Sequence, residues 1–386
     1  MNEDSVEVSV VIPSLNEEKT ISICIEKVKR VFREHNIKGE IIVADNSTDR
    51  TPEIAKSLGA KVVTPDRRGY GYAYLYAFKH VRGKYIVIGD ADNTYDFLEM
   101  PKLLEPLKKG EADLVIGSRF KGKILPGAMP WLHRYIGNPV LTRFLNFFFK
   151  AGVSDAHSGF RAFTREALER MRLRGDGMEF ASEMIMRAVW AGLGIKEVPI
   201  TYYPRQAESK LHSFKDGWRH LKFMLLYAPS YLFALPGMFL FILGMCLVLL
   251  ISAGLSKFGS ISLGIHSMIA SSLLAIAGYQ LVFLGLAGKV YRAKMDMPND
   301  GIVEFLTKRL SLEKGATVGL LIFSVGFVYT AYLIWKWIDS GFRSLPMLNQ
   351  DVLAFTLLVI GLQTIFHSFF LSMPVSYTHL RAHETE

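Results

Sequence analysis

The residues best suited to chemistry lie in segment 89–93, which has the sequence Gly-Asp-Ala-Asp-Asn. Two carboxylates on either side of one small residue can hold a hard divalent cation such as Mg²⁺ or Mn²⁺, and that cation can neutralise a diphosphate. Taken alone, the triplet is more typical of an Asx turn before the helix predicted near Phe97. Asp90 and Asp92 are therefore candidate metal-binding and catalytic residues whose assignment depends on the surrounding segments.

Segment 67–71, with the sequence Arg-Arg-Gly-Tyr-Gly, is a second candidate to contact a phosphate compound. Its glycines permit close approach of the backbone, and the N–H groups at the start of the helix predicted after it favour anions. It is not a Walker loop, because no Gly-Lys-Ser/Thr follows. The same residues are equally typical of a plain turn. If segment 67–71 is functional, it lines the part of the site that binds the phosphate compound.

The elements that must position these residues alternate along the first half of the chain. Short β-branched runs alternate with amphipathic stretches, a pattern typical of βαβ units and a mostly parallel sheet. Strands are predicted over residues 8–13, 40–45, 61–64, 85–90 and 114–118. Asn16 is predicted to cap a helix that begins near Glu17. Since ligands bind beyond the carboxyl ends of parallel strands, we expect Asn16, Asp45, Asp90 and Asp92 to converge.

The second half of the chain carries long uncharged stretches. They cover residues 223–256, 258–288, 315–335 and 352–373. Each exceeds the length of about 20 residues that a helix needs to cross a bilayer. The sequence therefore predicts an all-α transmembrane domain over residues 233–373, with helices near 233–254, 262–288, 315–337 and 352–373. The aromatic and basic stretch 211–232 is predicted to be an amphipathic helix at the membrane interface.

Charge and composition place the protein in a membrane. Hydrophobic residues make up 50% of the chain and charged residues 21%, with a net charge of +9. The basic residues cluster before the first predicted span and between the second and third, which places the soluble half on the cytoplasmic face. We expect a multi-pass protein, in a prokaryotic plasma membrane rather than the endoplasmic reticulum. We expect no nucleic-acid partner, no cleavable signal peptide and no disulfide framework.

Three segments carry a family resemblance through their order and spacing. They are residues 10–18 (Val-Val-Ile-Pro-Ser-Leu-Asn-Glu-Glu), 43–51 (Val-Ala-Asp-Asn-Ser-Thr-Asp-Arg-Thr) and 90–92 (Asp-Ala-Asp). Together they resemble the family 2 glycosyltransferases of the GT-A fold, over about residues 6–215. The chain is most similar to the polyprenyl-phosphate branch, the dolichyl-phosphate mannose or glucose synthases, and its four predicted spans are similar to those of membrane-anchored members.

The resemblance implies a site for a nucleotide-sugar donor. In the family, the end of the first strand and the residue matching Asp45 contact the nucleoside, while the D-x-D triplet binds metal and diphosphate. Segment 205–211 resembles the R-x-x-x-S-K-L element beside the diphosphate, although a basic cluster there also suits anionic lipid. The branch often has Gln two residues beyond the triplet, where this chain has Thr94. The implied donor-binding residues are Pro13, Asn16, Glu17, Asp45, Asp90, Ala91, Asp92, Arg205 and Lys210.

Arginines are the candidates for the acceptor side. Lone arginines are usually solvated, but a phosphate needs the planar paired donors that arginine supplies. In the resembled branch, arginines at the positions of Arg119 and Arg134 hold the lipid phosphate, and both are predicted to be catalytic. Segment 155–161 matches the D-x-x-S-G-F-R signature, so Ser158 and Arg161 join the acceptor-phosphate set, although a structural turn would use the same residue types. Glu183 either orients an arginine or is an exposed helix charge.

The implied reaction is transfer of a hexose from GDP-mannose or UDP-glucose to polyprenyl or dolichyl phosphate, with inversion, for glycan assembly. The cofactor is a divalent cation, Mg²⁺ or Mn²⁺. No general base is predicted, because an ionised phosphate is already a nucleophile. The predicted partners are the nucleotide sugar, the lipid phosphate and membrane lipid, and a homo-oligomer is left open.

Two other functions compete with this prediction. A processive polysaccharide synthase shares the GT-A domain and the spans, but its usual Q-x-x-R-W motif is absent from this sequence. A non-catalytic membrane subunit that binds sugar nucleotides would not need an intact set of Asp90, Asp92 and Arg205.

The predicted organisation is a cytoplasmic GT-A domain over residues 1–210, followed by the interfacial segment and the four spans. The chain ends in a tail, 374–386, whose composition indicates a non-native terminus.

Overall fold

A computed structural model describes residues 6–206, 213–258, 261–294, 312–343 and 348–383. The chain divides into two compact units, Met1–Met224 and Leu225–Glu386. The first unit combines helices with a large sheet, whereas the described part of the second is helical except for a short hairpin. Lys210, one of the predicted donor-binding residues, lies outside the described residues.

The first unit is built on a seven-stranded sheet in the order β3-β2-β1-β4-β6-β5-β7. The strands are β1 (Val8–Ser14), β2 (Gly39–Asp45), β3 (Lys61–Val63), β4 (Tyr85–Ile88), β5 (Leu114–Ile124), β6 (Arg161–Thr164) and β7 (Ile195–Tyr202). β6 runs antiparallel to β4 and β5, and every other strand pair in this sheet is parallel. The predicted mostly parallel sheet of the GT-A type is confirmed.

Helices surround the sheet, and several of them bury its apolar residues. The helices that lie or begin in the first unit are α1 (Ile21–Glu34), α2 (Thr51–Ser57), α3 (Tyr70–Phe78), α4 (Met100–Lys108), α5 (Asn138–Phe149), α6 (Arg165–Met171), α7 (Phe180–Trp190) and α8 (Ser213–Leu226). On α1, Ile21, Ile25 and Val28 are fully buried at helical spacing, in the same core as Val10 and Ile12 of β1. Burying such side chains contributes roughly 1.5–3 kcal/mol each, so the core fixes how α1 lies on the sheet.

The predicted helix cap at Asn16 is wrong. α1 begins at Ile21, four residues later than expected, and Asn16 adopts a left-handed backbone conformation with φ of 55°. Its side-chain oxygen accepts a hydrogen bond from the backbone N–H of Thr48 at 2.9 Å, and its own N–H donates to Ser47 Oγ at 2.7 Å. Asn16 therefore joins the loop after β1 to the loop after β2 instead of starting a helix.

The strand register brings the polar strand ends to one edge of the sheet. Ser14 at the end of β1 lies opposite Asp45 at the end of β2, and Val11 lies opposite Ile88, the last residue of β4. Asp90 follows Ile88 by two residues, so it emerges at the same edge as Asp45. The convergence expected from parallel strands is confirmed, and it places the loops after β1, β2 and β4 around one crevice.

The second unit contains α9 (Leu235–Ser252), α10 (Ile265–Lys294), α11 (Leu312–Asp339) and α12 (Leu348–His383). The segments long and apolar enough to cross a membrane are Ser230–Ser252, Ile265–Tyr291, Leu312–Asp339 and Asn349–Ser372. These four segments confirm the prediction of a multi-pass integral membrane protein. Their orientation, and the interfacial position of 211–232, stay predictions.

Small and polar residues join these helices. A Cβ atom on Gly244 would lie 2.4 Å from the backbone N of Ala275, so glycine allows α9 to approach α10 closely. Gly361 likewise allows α12 to approach α11 closely. Side-chain hydrogen bonds join α10 to α12, including Tyr279 to Thr364 at 2.6 Å. Close glycine contacts and polar pairs of this kind are what associates helices in lipid.

Candidate active site

The Asp90-Ala91-Asp92 triplet lies in the turn directly after β4. Asp92 is 8% exposed, and its Oδ1 accepts hydrogen bonds from the backbone N–H of Thr94 at 3.1 Å and from Thr94 Oγ1 at 2.6 Å. This is the Asx turn that the triplet alone predicts. The turn fixes Oδ1 and leaves Oδ2 for another cationic or donor group. The turn and a metal-binding role are therefore compatible in the same residue.

Asp90 lies beside α3 and the segment before β6. Tyr70 donates its hydroxyl to Asp90 Oδ1 at 3.0 Å. A Cβ atom on Gly159 would lie 2.9 Å from Asp90 Oδ2, so only glycine at this position leaves the carboxylate its space. Burial, and next the charge of Asp92, raise the pKa of Asp90 from 3.8 to about 7. Tyr70, from the glycine-rich segment, and Gly159, from the D-x-x-S-G-F-R segment, thus meet at this carboxylate.

Arg205 brings a positive charge to the triplet. Its Nη2 donates to Glu17 Oε1 at 3.0 Å, and its Nε lies 3.4 Å from Asp92 Oδ2. Glu17 comes from the loop after β1, and Arg205 follows the end of β7. The structure thus brings three predicted donor-side residues, distant in sequence, into direct contact.

The other predicted donor-side residues line or support the same edge. Asp45 is only 3% exposed, and its carboxylate accepts from Ser14 Oγ at 2.6 Å and from the backbone N–H of Ser47 at 3.1 Å. Pro13 lies in β1 opposite Ala44. Ala91 is 3% exposed and its carbonyl faces the buried Cys24. Their contact with a nucleoside or diphosphate stays a prediction.

Arg119, whose charge acts on Asp90, is held by a buried ion pair. Its Nε and Nη2 donate to the two oxygens of Asp155 at 2.8 Å and 2.7 Å, and its backbone N–H donates to Asp155 Oδ2 at 3.0 Å. Arg119 is 6% exposed and Asp155 is fully buried. Burial opposes the charge, but Asp155 more than offsets it and keeps the pKa of Arg119 well above its usual value. Arg119 is therefore charged and rigidly oriented.

Arg134 and Arg119 line one cavity of about 250 Å³. The remaining lining residues are Phe120, Gly122, Ile124, Tyr135 and Pro139. Arg134 lies in the π-helical turn His133–Gly137 that leads into α5, with its guanidinium 5.4 Å from the centre of the Tyr135 ring. The structure thus brings together the two arginines that the sequence predicts for an acceptor phosphate.

Arg161 and Ser158 do not reach this cavity, which corrects the expectation that they bind the acceptor phosphate. Arg161 is 1% exposed, and its guanidinium donates to the backbone carbonyls of Ser158, Ala181 and Ala156 at 2.8–2.9 Å. Ser158 is fully buried and donates to the Gly117 carbonyl at 2.6 Å. Backbone oxygens already hold both side chains, so the D-x-x-S-G-F-R signature acts here as a structural segment that presents Asp155 and Gly159.

Two residues that support the site were not predicted as site residues. Glu197 accepts from the backbone N–H groups of Ser154 at 2.8 Å and Asp155 at 3.0 Å, and pairs with Lys121 at 2.9 Å. It therefore fixes the segment that carries the partner of Arg119. Tyr70 stood in a segment singled out for its glycines, with no role assigned to its hydroxyl. Neither contact has a local sequence signal, because the partners are far away in the chain.

Glu183 proves to be the residue that orients an arginine and not an exposed charge. It is 1% exposed, bonds Arg187 Nε at 2.8 Å and accepts from the backbone N–H of Gly175 at 2.6 Å. Its partner Arg187 is itself only 5% exposed on α7. This pair stabilises the loop before α7.

The donor set of the triplet fits a hard divalent cation. Asp92 Oδ2 already lies against a cationic guanidinium, and carboxylate oxygens are the ligands that Mg²⁺ and Mn²⁺ prefer. Within the described residues, no cluster of three or more His, Cys, Asp or Glu side chains is arranged to hold a metal by itself. Asp92, with Asp90, would hold such a cation.

An apolar surface lies beside the arginine cavity. Six large side chains on the π-helical turn, on α5 and just before the turn are between 38% and 66% exposed. They are Trp131, Tyr135, Ile136, Val140, Phe144 and Phe147. Contiguous exposed apolar side chains of this kind mark surfaces that meet other molecules.

Comparisons with known proteins agree with this architecture. Residues 9–172 match the model of glycosyl transferase family 2, and residues 286–374 match the glycosyltransferase family 2 C-terminal transmembrane region. The low-salt glycan biosynthesis hexosyltransferase Agl6 of Haloferax volcanii is 52% identical over 363 residues, covering 94% of this chain and 88% of that protein. A dolichyl-phosphate hexose transferase of the same organism is 34% identical over 213 residues, covering 55% of this chain and 89% of that protein.

Solved structures match part of the chain. A glucosyl-3-phosphoglycerate synthase from Mycobacterium tuberculosis, solved with Mn²⁺, UDP and glucosyl-3-phosphoglycerate, is 24% identical with a TM-score of 0.48. The alignment covers 58% of this chain and 80% of that one.

Proposed function

Since the chain belongs to glycosyltransferase family 2, we propose that it transfers a hexose from a nucleotide sugar to the phosphate of a polyprenol such as dolichol. The observation that carries this proposal is a pair of charged groups near each other: the carboxylates of the triplet with Arg205, and the cavity of Arg119 and Arg134, in which Arg119 is close enough to Asp90 for its charge to lower the pKa of that carboxyl. One suits a diphosphate bound with a cation, and the other suits a phosphate monoester.

On the donor side, Asp92 and Asp90 hold a divalent cation, Mg²⁺ or Mn²⁺, together with the diphosphate of the donor. When bound, the cation stabilises the negative charge that develops on the departing nucleoside diphosphate. Tyr70 and Gly159 keep Asp90 in place, and Thr94 keeps Asp92 in place. Pro13, Asn16 and Asp45 border the nucleoside, GDP-mannose and UDP-glucose being the donors we propose.

On the acceptor side, Arg119 and Arg134 hold the lipid phosphate. Two of the Arg119 nitrogens are used by Asp155, which leaves Nη1 to donate to a phosphate oxygen. A phosphate monoester with a second pKa near 6 is largely ionised at neutral pH, so it attacks the anomeric carbon without a strong general base. Attack from the side opposite the leaving diphosphate inverts the configuration, so an α-linked donor gives a β-linked lipid product.

The apolar surface beside the cavity supports a lipid acceptor. A soluble acceptor would not require six exposed apolar side chains next to its phosphate site, whereas a polyprenol phosphate carries a hydrocarbon chain that such residues can contact. The four membrane spans anchor the protein in the bilayer, and this acceptor is dissolved in the same bilayer. We place the first unit on the cytoplasmic face, because the basic segments cluster on one side of the predicted spans.

The test uses the full chain in lipid nanodiscs with Mg²⁺ or Mn²⁺, tritiated nucleotide sugars and polyprenyl phosphate. We expect a lipid that carries one sugar, and we expect Asp92→Asn to abolish it. A polymeric product would replace the proposal with a processive synthase. Donor binding without any product would indicate a non-catalytic subunit.

A further inference from the structure

We propose that Arg205 is the counter-ion of Asp92 when no donor is bound. When the donor binds, the divalent cation replaces Arg205 at Asp92, and the guanidinium moves to the diphosphate. The inference rests on the proposed function in that it takes Asp92 as a metal ligand. It adds that Arg205 and the cation compete for Asp92. It also predicts that cation and nucleotide bind far better together than apart.

Arg205 lies where a cation would lie. Its Nε is 3.4 Å from Asp92 Oδ2, the oxygen that Thr94 leaves unbonded, and its Nη2 bonds Glu17 Oε1 at 3.0 Å. The side chain is 23% exposed, whereas the Asp92 and Glu17 side chains are 11% and 7% exposed. The guanidinium therefore covers two nearly buried carboxylates from the solvent side.

Arg205 is held by charge and not by a full set of hydrogen bonds. Its Nε is buried without a hydrogen-bond partner among the described residues. Arg161 provides the contrast, because its three nitrogens all donate to backbone carbonyls in a site with 1% exposure. Arginine has five N–H donors in a planar fork that matches phosphate oxygens. The unused donors of Arg205 can thus bond a diphosphate, whereas those of Arg161 cannot.

Electrostatics makes the exchange favourable only when both ligands arrive. Without a counter-ion, the carboxylates of Glu17 and Asp92 repel each other, so Arg205 stabilises the site when no donor is bound. A divalent cation bound by Asp92 Oδ2 would be repelled by the guanidinium, whose Nε lies 3.4 Å from that oxygen. A diphosphate removes this repulsion, because it offers Arg205 a new anionic partner. By linkage, the nucleotide then raises cation affinity by the same factor as the cation raises nucleotide affinity.

The test is a titration of Mn²⁺ alone, followed by electron paramagnetic resonance, on the full chain in nanodiscs. We expect Arg205→Gln to bind Mn²⁺ about tenfold more tightly than the wild type in the absence of nucleotide. With Mn²⁺ saturating, the same variant binds UDP or GDP about tenfold more weakly. Opposite signs in one variant are not produced by misfolding, which weakens both. Weaker or unchanged binding of Mn²⁺ alone in Arg205→Gln overturns the inference.

Three further variants sharpen the test. Arg30→Gln makes the same change of charge on the exposed face of α1, where Arg30 pairs with Glu34, and leaves both affinities unchanged. Arg205→Lys keeps a point charge, so its affinity for Mn²⁺ alone stays near the wild-type value while nucleotide affinity falls. Asp92→Asn abolishes the binding of Mn²⁺ alone, and retained binding would overturn the assignment of the ion to this site. Because the Mn²⁺ titration needs neither donor nor acceptor, failure of the transfer reaction remains distinguishable from failure of this inference.

Discussion

The hydroxyl of Tyr70 donates a hydrogen bond to Asp90 Oδ1 at 3.0 Å, which joins the first turn of α3 to the carboxylate after β4. Burial, and next the charge of Asp90, raise the pKa of Tyr70 well above its ordinary value, so the hydroxyl stays protonated and donates. The Tyr70 ring also contacts Tyr74 and Phe180 edge-on, at 5.2 Å and 6.5 Å between ring centres. The hydroxyl is thus fixed by the packing of its ring.

Replacing Tyr70 by Phe tests what this hydrogen bond contributes. The ring contacts remain while Asp90 loses its orienting donor, so we expect the KM for the nucleotide sugar to rise about tenfold, as for a bond to a charged group worth about 1.5 kcal/mol. The KM for polyprenyl phosphate should not change. Steady-state kinetics with each substrate varied in turn measures both, and Tyr76→Phe on the same helix is the control. Equal changes for the two substrates would contradict a role on the donor side.

Asp90 should make the metal-free protein less stable at neutral pH than at mildly acidic pH. Its pKa in the folded protein is about 7 against an ordinary 3.8, so between these values the folded state binds more protons than the unfolded state. Stability therefore falls as pH rises through this window and levels off above it. With EDTA present at neutral pH, we expect Asp90→Asn to unfold about 5 °C higher than the wild type, for a gain on the order of 2 kcal/mol.

The measurement is thermal unfolding of the first unit followed by tryptophan fluorescence, at several pH values. The gain from Asp90→Asn should shrink as pH falls toward 4, because the wild-type carboxyl is then protonated in the folded state and the cost of burying its charge is gone. Glu166→Gln on the exposed face of α6 removes the same charge and should show no such dependence. A gain that is equal at all pH values would mean that the charge of Asp90 is not its cause.

The convergence of the strand ends could be predicted from the sequence, but the support around them could not. Parallel strands must end at one edge, so the D-x-D triplet and Asp45 are placed together by topology alone. The hydrogen bonds of Glu197 to Ser154 and Asp155 join residues 42 and 43 positions apart, and no local pattern encodes them.

Arg161 shows why residue type alone does not assign a role. A phosphate and a set of backbone carbonyls attract the same guanidinium, so the sequence cannot separate a ligand arginine from one that holds a turn. Burial decides the question only once the fold is known. The predicted helix cap at Asn16 is wrong for a similar reason, because asparagine favours both a helix N-cap and a left-handed turn.

Glu197→Gln tests the support of the acceptor arginine. Glu197 accepts from Ser154 and Asp155, and Asp155 in turn orients Arg119. An amide keeps the size but loses the charge that holds this segment and Lys121, so we expect the KM for polyprenyl phosphate to rise about threefold to tenfold. The rate at saturating substrates and the KM for the donor should change less than twofold. Glu111→Gln, which breaks an exposed ion pair with Lys196 at the same sheet edge, is the matched control.

Arg134 should bind the acceptor directly, because its guanidinium lines the cavity that Arg119 also lines. Losing a charged donor to a phosphate costs about 1.5–3 kcal/mol, so Arg134→Ala should lower kcat/KM for polyprenyl phosphate by about tenfold to 100-fold. Donor affinity, measured by equilibrium binding of the nucleotide, should stay at the wild-type value. Arg143→Ala removes a basic residue from the exposed face of α5, outside the cavity lining, and so controls for a general loss of positive charge. If both variants lose activity equally, attraction of the phosphate by the overall charge of this helix, and not a specific contact with Arg134, accounts for acceptor binding.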